Sequence, residues 1–137
     1  MKKISLHKPS FTNKELRYLK NCIKSGWVTN KGKFIDLFKK RLTSFIKGKF
    51  VIPTINGTSA LHISLKMANV KKEDEIIVPT LTYIATINSI IYCGASPVFM
   101  DVEKDLNLSI KKVLKFIKEE TIARKNGTYN KRTKKRI

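Results

Sequence analysis

The turn at residues 56–59 carries residue types that bind phosphate in proteins. It reads Asn56-Gly57-Thr58-Ser59 and stands between an apolar segment and a helical pattern. The first turn of a helix has unpaired backbone N–H groups and partial positive charge, and two hydroxyl groups add further donors. The alternative is an ordinary N-cap, in which serine or threonine only satisfies the helix end. Neither a GxxxxGK[ST] nor a GxGxxG motif occurs here. The turn therefore predicts a phosphate cup without identifying its ligand.

A second candidate lies in the segment PTLTYIATIN, residues 79–88, which follows an apolar run that predicts a strand. Open α/β sheets bind their ligands at the carboxyl ends of the strands. Tyr83 stands at that edge, where its ring would stack on a flat ligand. A tyrosine packed in the core at a helix start is the alternative, and the sequence leaves both interpretations open.

Four other side chains show weaker patterns. His7 and His62 have no carboxylate or cysteine at the spacing of a metal site or a catalytic triad, so we expect structural roles and no metal. Asp101 ends an apolar run, where a capping or solvated carboxylate is more ordinary than a ligand contact. Trp27 lies in a loop, either as a packed anchor or at the rim of a substrate site.

The spacing of apolar residues predicts alternating strands and helices. Thr12 and Glu15 form a capping-box pattern that starts a helix ending near Ser25-Gly26, and a second amphipathic helix follows it. We expect strands at 50–55, 74–78 and 97–102 and helices at 59–69, 83–92 and 109–120. This order is typical of an α/β layer with parallel strands. Residues 122–137 are basic, with a hairpin or turn at Asn126-Gly127, and we expect a loose tail there.

The charge distribution suggests a different class of function. The chain has 137 residues, a hydrophobic fraction of 42% and a net charge of +19. Residues 1–50 hold 14 basic and 2 acidic side chains, residues 51–110 hold 4 and 6, and residues 111–137 hold 11 and 2. A small basic module for nucleic acid or another polyanion is therefore a candidate. Lysine supplies 24 of the 29 basic residues, whereas nucleic-acid readers favour arginine, so we do not expect nucleic acid as the partner.

Two further features indicate a cytoplasmic protein that does not enter a membrane. The amino terminus MKKISLHKPS lacks the apolar core of a secretory signal, and no apolar run approaches the roughly 18 residues of a membrane span. Cys22 and Cys93 lie far apart and form no CxxC motif, so a reduced protein is the simplest expectation.

Three segments, taken together, resemble one known family. They are SGWVTNKGKFIDLF (25–38), NGTSALHISL (56–65) and DEIIVPTLTYIATINSIIYCGASPVFMDV (74–102). In this order and spacing they resemble the amino-terminal part of the DegT/DnrJ/StrS family of sugar aminotransferases, which depend on pyridoxal 5'-phosphate (PLP). The resemblance implies an α/β fold in which residues 1–121 form part of the large domain of the aspartate-aminotransferase fold (PLP fold type I), truncated, with a parallel-type sheet flanked by helices.

The resemblance also assigns roles to the candidate residues. Thr58 and Ser59 would bind the PLP phosphate, Gly57 would let the backbone approach it, and Tyr83 would stack on the pyridine ring. Trp27 and Thr29 match a loop near the substrate sugar. One departure is visible, because Phe38 is followed by Lys39 where the family usually has glutamate; it puts no catalytic role in doubt.

The family's catalytic residues have no counterpart in this sequence. Family members use a lysine that forms the internal aldimine with PLP and an acidic residue at the pyridine nitrogen. Neither motif occurs among these 137 residues, so we assign no catalytic residue. We expect an amino-terminal portion that is inactive alone, either half of a split gene or a decayed remnant.

For the complete enzyme, the resemblance implies amination of a 4-keto-6-deoxy nucleotide sugar, with glutamate as donor, for surface polysaccharide synthesis. The stretch VPTLTYIAT resembles perosamine synthases, and KNGTYNKRTKKRI resembles transaminases of legionaminic-acid-type pathways. GDP- and UDP-linked substrates therefore both stay open. The resemblance further implies a homodimer with its active site at the interface.

Overall fold

A computed structural model describes residue 4 and residues 7–137 of the chain. Contacts divide it into two units, residues 1–53 and residues 54–137. The first unit holds α1 and α2, and the second holds three helices and four strands. The elements in chain order are α1 (Asn13–Ser25), α2 (Lys33–Ile46), α3 (Gly57–Met67), β1 (Glu75–Pro79), α4 (Ile84–Tyr92), β2 (Ser96–Met100), α5 (Ile110–Glu120), β3 (Thr121–Arg124) and β4 (Gly127–Asn130).

The first unit is a pair of amphipathic helices. The predicted capping box is confirmed, because the Thr12 hydroxyl accepts from the first turn of α1 and the Glu15 carboxylate accepts from the Thr12 N–H at 2.7 Å. Tyr18 of α1 meets Phe34 of α2 edge to face, with ring centroids 5.2 Å apart. No residue of either helix is fully buried, so the pair packs together without enclosing a core.

The second unit holds the parallel layer that the sequence predicts. Strands β1 and β2 pair in parallel, with Glu75 opposite Ser96 and Pro79 opposite Met100. Its core centres on Val78 of β1 and Ile90 of α4, both 2% exposed. Partly buried apolar residues, Leu65, Val70, Ile76 and Ile87, pack against this core. The α/β class with parallel strands is therefore confirmed.

The strand predicted at residues 50–55 does not form. Phe50, Ile52 and Ile55 are 86%, 81% and 92% exposed. A strand needs a hydrogen-bonded neighbour, and no described residue pairs with this segment. Pro53 also lacks the N–H that a ladder would use. The apolar residues of this segment predict a buried strand, but no described residue pairs with the segment, and its side chains are largely exposed.

Residues 121–137 form a hairpin and an anchored segment where the sequence analysis expects a loose tail. Strands β3 and β4 pair in antiparallel fashion around the loop Lys125–Asn126, and Gly127 follows at φ 143°, a conformation that favours glycine. The segment after β4 returns to β1, where the Glu75 N–H donates to the Arg136 carbonyl at 2.7 Å. The Arg136 guanidinium also contacts Asp74, with Nε 3.0 Å from Oδ1. The basic composition of this segment does not predict these contacts, because the partners lie about 60 positions away in the sequence.

Asn130 holds the hairpin to β1 through a buried hydrogen bond. Its Nδ2 donates to Glu75 Oε2 at 2.8 Å, and the two residues are 6% and 5% exposed. Asn130→Ala leaves a buried carboxylate without this donor, so we expect the free energy of unfolding to fall by about 1–3 kcal/mol in urea titrations. Lys125→Ala, in the exposed loop, is the control and should change it by less than about 0.5 kcal/mol. Equal effects of both variants would refute the anchoring role.

The ion pair between Asp74 and Arg136 makes stability depend on pH. The hydrogen bond from Arg136 is the main cause that holds the pKa of the Asp74 carboxyl below its usual value. The contribution is complete above the unfolded pKa of about 3.9 and is lost as the pH falls through the lower folded pKa. We expect the urea midpoint to fall more for the unmodified chain than for Asp74→Asn between about pH 6 and about pH 3. Parallel falls in both proteins would contradict this assignment.

Candidate functional site

The amino terminus of α3 is capped by Asn56. The residue is extended at φ −160°, and its side-chain Oδ1 accepts from the Ser59 N–H at 2.9 Å. Its carbonyl accepts from the Ala60 N–H at 3.2 Å. The sequence analysis left a serine or threonine cap as the alternative, and the structure gives that task to asparagine. Thr58 and Ser59 are therefore not needed as caps.

The first turn of α3 keeps several donors free. Among the described residues, the hydroxyl groups of Thr58 and Ser59 make no hydrogen bond, and the N–H groups of Gly57 and Thr58 have no acceptor. No acidic residue stands in this turn, so the positive end of the helix dipole is uncompensated. A Cβ added at Gly57 would meet no atom within 4 Å. The turn is open to a ligand and offers it backbone and hydroxyl donors.

Tyr83 stands at the carboxyl end of β1, as the residue order predicts. It is the N-cap residue of α4, and its carbonyl accepts from the Thr86 N–H at 3.0 Å. Its side chain is 79% exposed, so the alternative of a core tyrosine is wrong. Beside it, the hydroxyls of Thr82 and Thr86 lie 3.0 Å apart and tie the loop to the helix. The backbone is therefore held while the ring stays available to a ligand.

Trp27 and Thr29 lie in the first unit, in the loop between α1 and α2. Trp27 is 56% exposed, and a Cβ added at Gly32 would approach its Cβ to 3.1 Å. The Thr29 hydroxyl accepts from the Lys31 N–H at 3.3 Å. Both residues line a groove of about 640 Å³. Trp27 is thus partly a packed anchor and partly exposed, which leaves it compatible with a substrate rim.

The remaining candidates have structural partners. Asp101 forms an ion pair with Lys112, and this hydrogen bond is the main cause that lowers the pKa of the Asp101 carboxyl. The His62 ring meets Tyr92 edge to face at 5.9 Å. Across the described part of the chain, no cluster of histidine, cysteine and acidic residues is suited to a metal ion. The residue that the sequence analysis undervalued is Asn56, although asparagine is among the strongest N-cap residues.

Comparison with known proteins identifies the family. Residues 9–125 match the sequence profile of the DegT/DnrJ/EryC1/StrS aminotransferase family. The chain belongs to this family. The GDP-perosamine synthase of Vibrio cholerae is 41% identical over 121 residues, which cover 88% of this chain and 33% of that protein. The putative pyridoxal phosphate-dependent aminotransferase EpsN of Bacillus subtilis is 32% identical over 128 residues, covering 93% of this chain and 32% of that protein.

A solved structure confirms the kinship of the fold. The putative sugar aminotransferase Spr1654 from Streptococcus pneumoniae, in its PLP form, matches with a TM-score of 0.73 and 27% identity. The match covers 82% of this chain and 29% of that one. The 137-residue chain thus spans about a third of the length of the curated relatives that it matches. In the described residues no helix is both long and apolar enough to cross a membrane.

Proposed function

We propose that this chain provides the phosphate cup and the ring-stacking side chain of a PLP-dependent nucleotide-sugar aminotransferase. The observation that carries the proposal is the first turn of α3, where an asparagine cap leaves the Thr58 and Ser59 hydroxyls free at an uncompensated helix end. Such a turn fits a phosphate dianion, because N–H and O–H donors converge with the positive end of the helix dipole. The exposed Tyr83 ring fits a flat heteroaromatic ligand.

Each group has a separate task in this arrangement. The Gly57 and Thr58 N–H groups and the two hydroxyls bind the phosphate and fix one end of the cofactor. Tyr83 covers one face of the ring and excludes water from it. When bound, PLP acts as an electron sink for bonds at the amino-bearing carbon. These residues bind and orient, and no proton-transferring group of this chain is assigned.

The substrate is proposed from the relatives. GDP-perosamine synthase at 41% identity supports a GDP-linked sugar as the substrate. From the family resemblance we further propose that the acceptor is a 4-keto-6-deoxy sugar, that glutamate is the amino donor, and that the reaction takes place in the cytoplasm for surface polysaccharide. Trp27 and Thr29 would then line the path of the sugar, and the whole enzyme would be a homodimer. Nothing in the comparisons supports the alternative of a basic polyanion-binding module.

A chimera tests this function directly. Residues 9–125 of this chain replace the matching segment of the Vibrio cholerae GDP-perosamine synthase, and amination of the GDP-linked keto sugar by glutamate is measured. We expect turnover in the chimera and a loss of at least about a hundredfold on adding Thr58→Val and Ser59→Ala. A folded chimera that aminates no GDP-linked keto sugar would contradict the proposed substrate. Unchanged turnover in the double variant would contradict the phosphate cup.

Tyr83→Ala should weaken cofactor binding selectively. Aromatic stacking contributes about 0.5–1.5 kcal/mol beyond buried area, so we expect about a threefold to tenfold loss of affinity for pyridoxamine 5'-phosphate. The phosphate analogue without a ring, glycerol phosphate, should bind the variant and the unmodified chain equally. Tyr92→Ala is the matched control, since Tyr92 is 60% exposed at the far end of α4. Equal losses in both tyrosine variants would argue against stacking at Tyr83.

A further inference from the structure

The two helices of the first unit leave an apolar groove open between them. The groove has a volume of about 480 Å³ and is lined by Leu19 of α1 and by Phe34, Phe38 and Phe45 of α2. Phe45 is 84% exposed and Leu19 is 61% exposed. Apolar side chains in a row along two helices are typical of a surface that packs against another element.

In the first unit, as far as the structure describes it, the apolar faces of the two helices are not covered by a further element. No residue of α1 or α2 is fully buried, although each helix carries a continuous apolar stripe. A stable layer buries such a stripe against a further helix or sheet. The groove between two packed helices is concave and takes the side chains of a third helix, as in helix-in-groove recognition.

The positive charge of residues 1–50 indicates which kind of helix would bind in the groove. Residues 1–50 carry 14 basic and 2 acidic side chains, and Arg41 lines the groove itself. Of the two acids, Glu15 is already engaged in the capping box with Thr12. Within the described part of this unit no ion pair neutralises the cations. A second copy would bring the same positive charge to the contact and be repelled, whereas an acidic partner would be attracted.

We propose that the groove between α1 and α2 binds an amphipathic helix whose apolar face is flanked by acidic side chains. Its apolar residues fill the space beside Phe38 and Phe45, and its carboxylates meet Arg41 and the lysines of both helices. The interaction completes a three-helix core. It is independent of the phosphate cup of α3.

The test uses the full chain and two designed peptides. Each peptide has about 20 residues and the same leucine face; one carries glutamate at the flanking positions and the other lysine. Binding of the labelled peptides is measured by fluorescence anisotropy. We expect saturable binding of the glutamate peptide and at least about tenfold weaker binding of the lysine peptide. Phe38→Asp should weaken binding of the glutamate peptide at least about tenfold. Phe50→Asp, which lies in the same unit outside the groove, should leave this binding unchanged.

A charge-reversal variant tests the proposal even if Phe38→Asp fails to fold. Arg41→Glu leaves the aromatic lining intact and should shift the preference toward the lysine peptide. Equal binding of both peptides, or equal effects of Phe38→Asp and Phe50→Asp, would overturn the proposal. So would self-association of the chain in gel filtration that Phe38→Asp abolishes, or binding to phosphatidylglycerol vesicles with none to the glutamate peptide.

Discussion

Replacing Thr58 with valine and Ser59 with alanine in one chain should weaken the binding of pyridoxamine 5'-phosphate about a hundredfold. Each hydroxyl would donate one hydrogen bond to a charged phosphate, and such a bond contributes about 1.5–3 kcal/mol. Loss of one donor therefore costs about tenfold or more in affinity. Pyridoxamine 5'-phosphate is the suitable probe because its amino group does not condense with the 24 lysines of the chain. Its own fluorescence reports the binding.

Ser64→Ala is the matched control for the double variant. Ser64 lies on the same helix, but its hydroxyl donates to the Ala60 carbonyl at 2.8 Å and so has no part in the free first turn. We expect its affinity to equal that of the unmodified chain. If the double variant binds as tightly as Ser64→Ala, then the hydroxyls of the first turn do not hold the phosphate.

The chain of 137 residues on its own should catalyse no transamination. The family resemblance requires a lysine that bonds to the cofactor and an acid at the pyridine nitrogen, and neither motif occurs in this sequence. Mixed with PLP, glutamate and a GDP-linked keto sugar, the chain should give no more aminated sugar than PLP alone. Borohydride reduction of the mixture with PLP should label many lysines diffusely, because most of the described lysines are exposed amines.

One specific lysine would change that conclusion. A single saturable label, mapped by mass spectrometry and abolished in the Thr58→Val, Ser59→Ala variant, would mean that a substitute lysine reaches the cofactor. Turnover above the background of free PLP would contradict the expected inactivity in the same way. Lys66, on α3 at its far end from the phosphate cup, gives an internal standard for non-specific labelling.

Local patterns in the sequence were sufficient for much of the fold. The capping box of Thr12 and Glu15 places the start of α1 because both partners lie within one helical turn. The apolar run at 74–78 and the proline that follows it place β1 within one residue of its observed bounds. These elements form because their signals are short-range, and each has a partner within its own unit: α1 packs against α2 in the first unit, and β1 pairs with β2 in the second.

Elements that depend on distant partners were not predictable in the same way. The apolar residues 50–55 satisfy the local pattern of a strand, but pairing requires a neighbour that no described residue supplies. Residues 121–137 have a basic, polar composition. Nevertheless, Arg136 donates a hydrogen bond to Asp74, 62 positions away in the sequence, and Asn130 donates one to Glu75, 55 positions away. Charge composition says nothing about such pairing, because the partners are defined only in the folded chain.

The candidate site was predictable by residue type and not by geometry. The residue types point to Thr58, Ser59 and Tyr83 as ligand-binding residues, and each has a structural alternative. The structure assigns the cap of α3 to Asn56, so Thr58 and Ser59 do not cap this helix, and it exposes the Tyr83 ring. The part of these residues in ligand binding stays a prediction. The sequence pattern could not choose among the three polar residues of this turn, since each of these residue types can cap a helix.

Amide chemical shifts during a titration with pyridoxamine 5'-phosphate test the cofactor site most directly. Two-dimensional NMR of the ¹⁵N-labelled chain reports each backbone N–H separately. We expect saturable shifts that are largest at Gly57, Thr58 and Ser59, with a second group at Tyr83 and the start of α4. Shifts spread over the lysine-rich helices α1, α2 and α5, with the α3 turn unmoved, would contradict this expectation and make the phosphate a non-specific counterion of a basic surface.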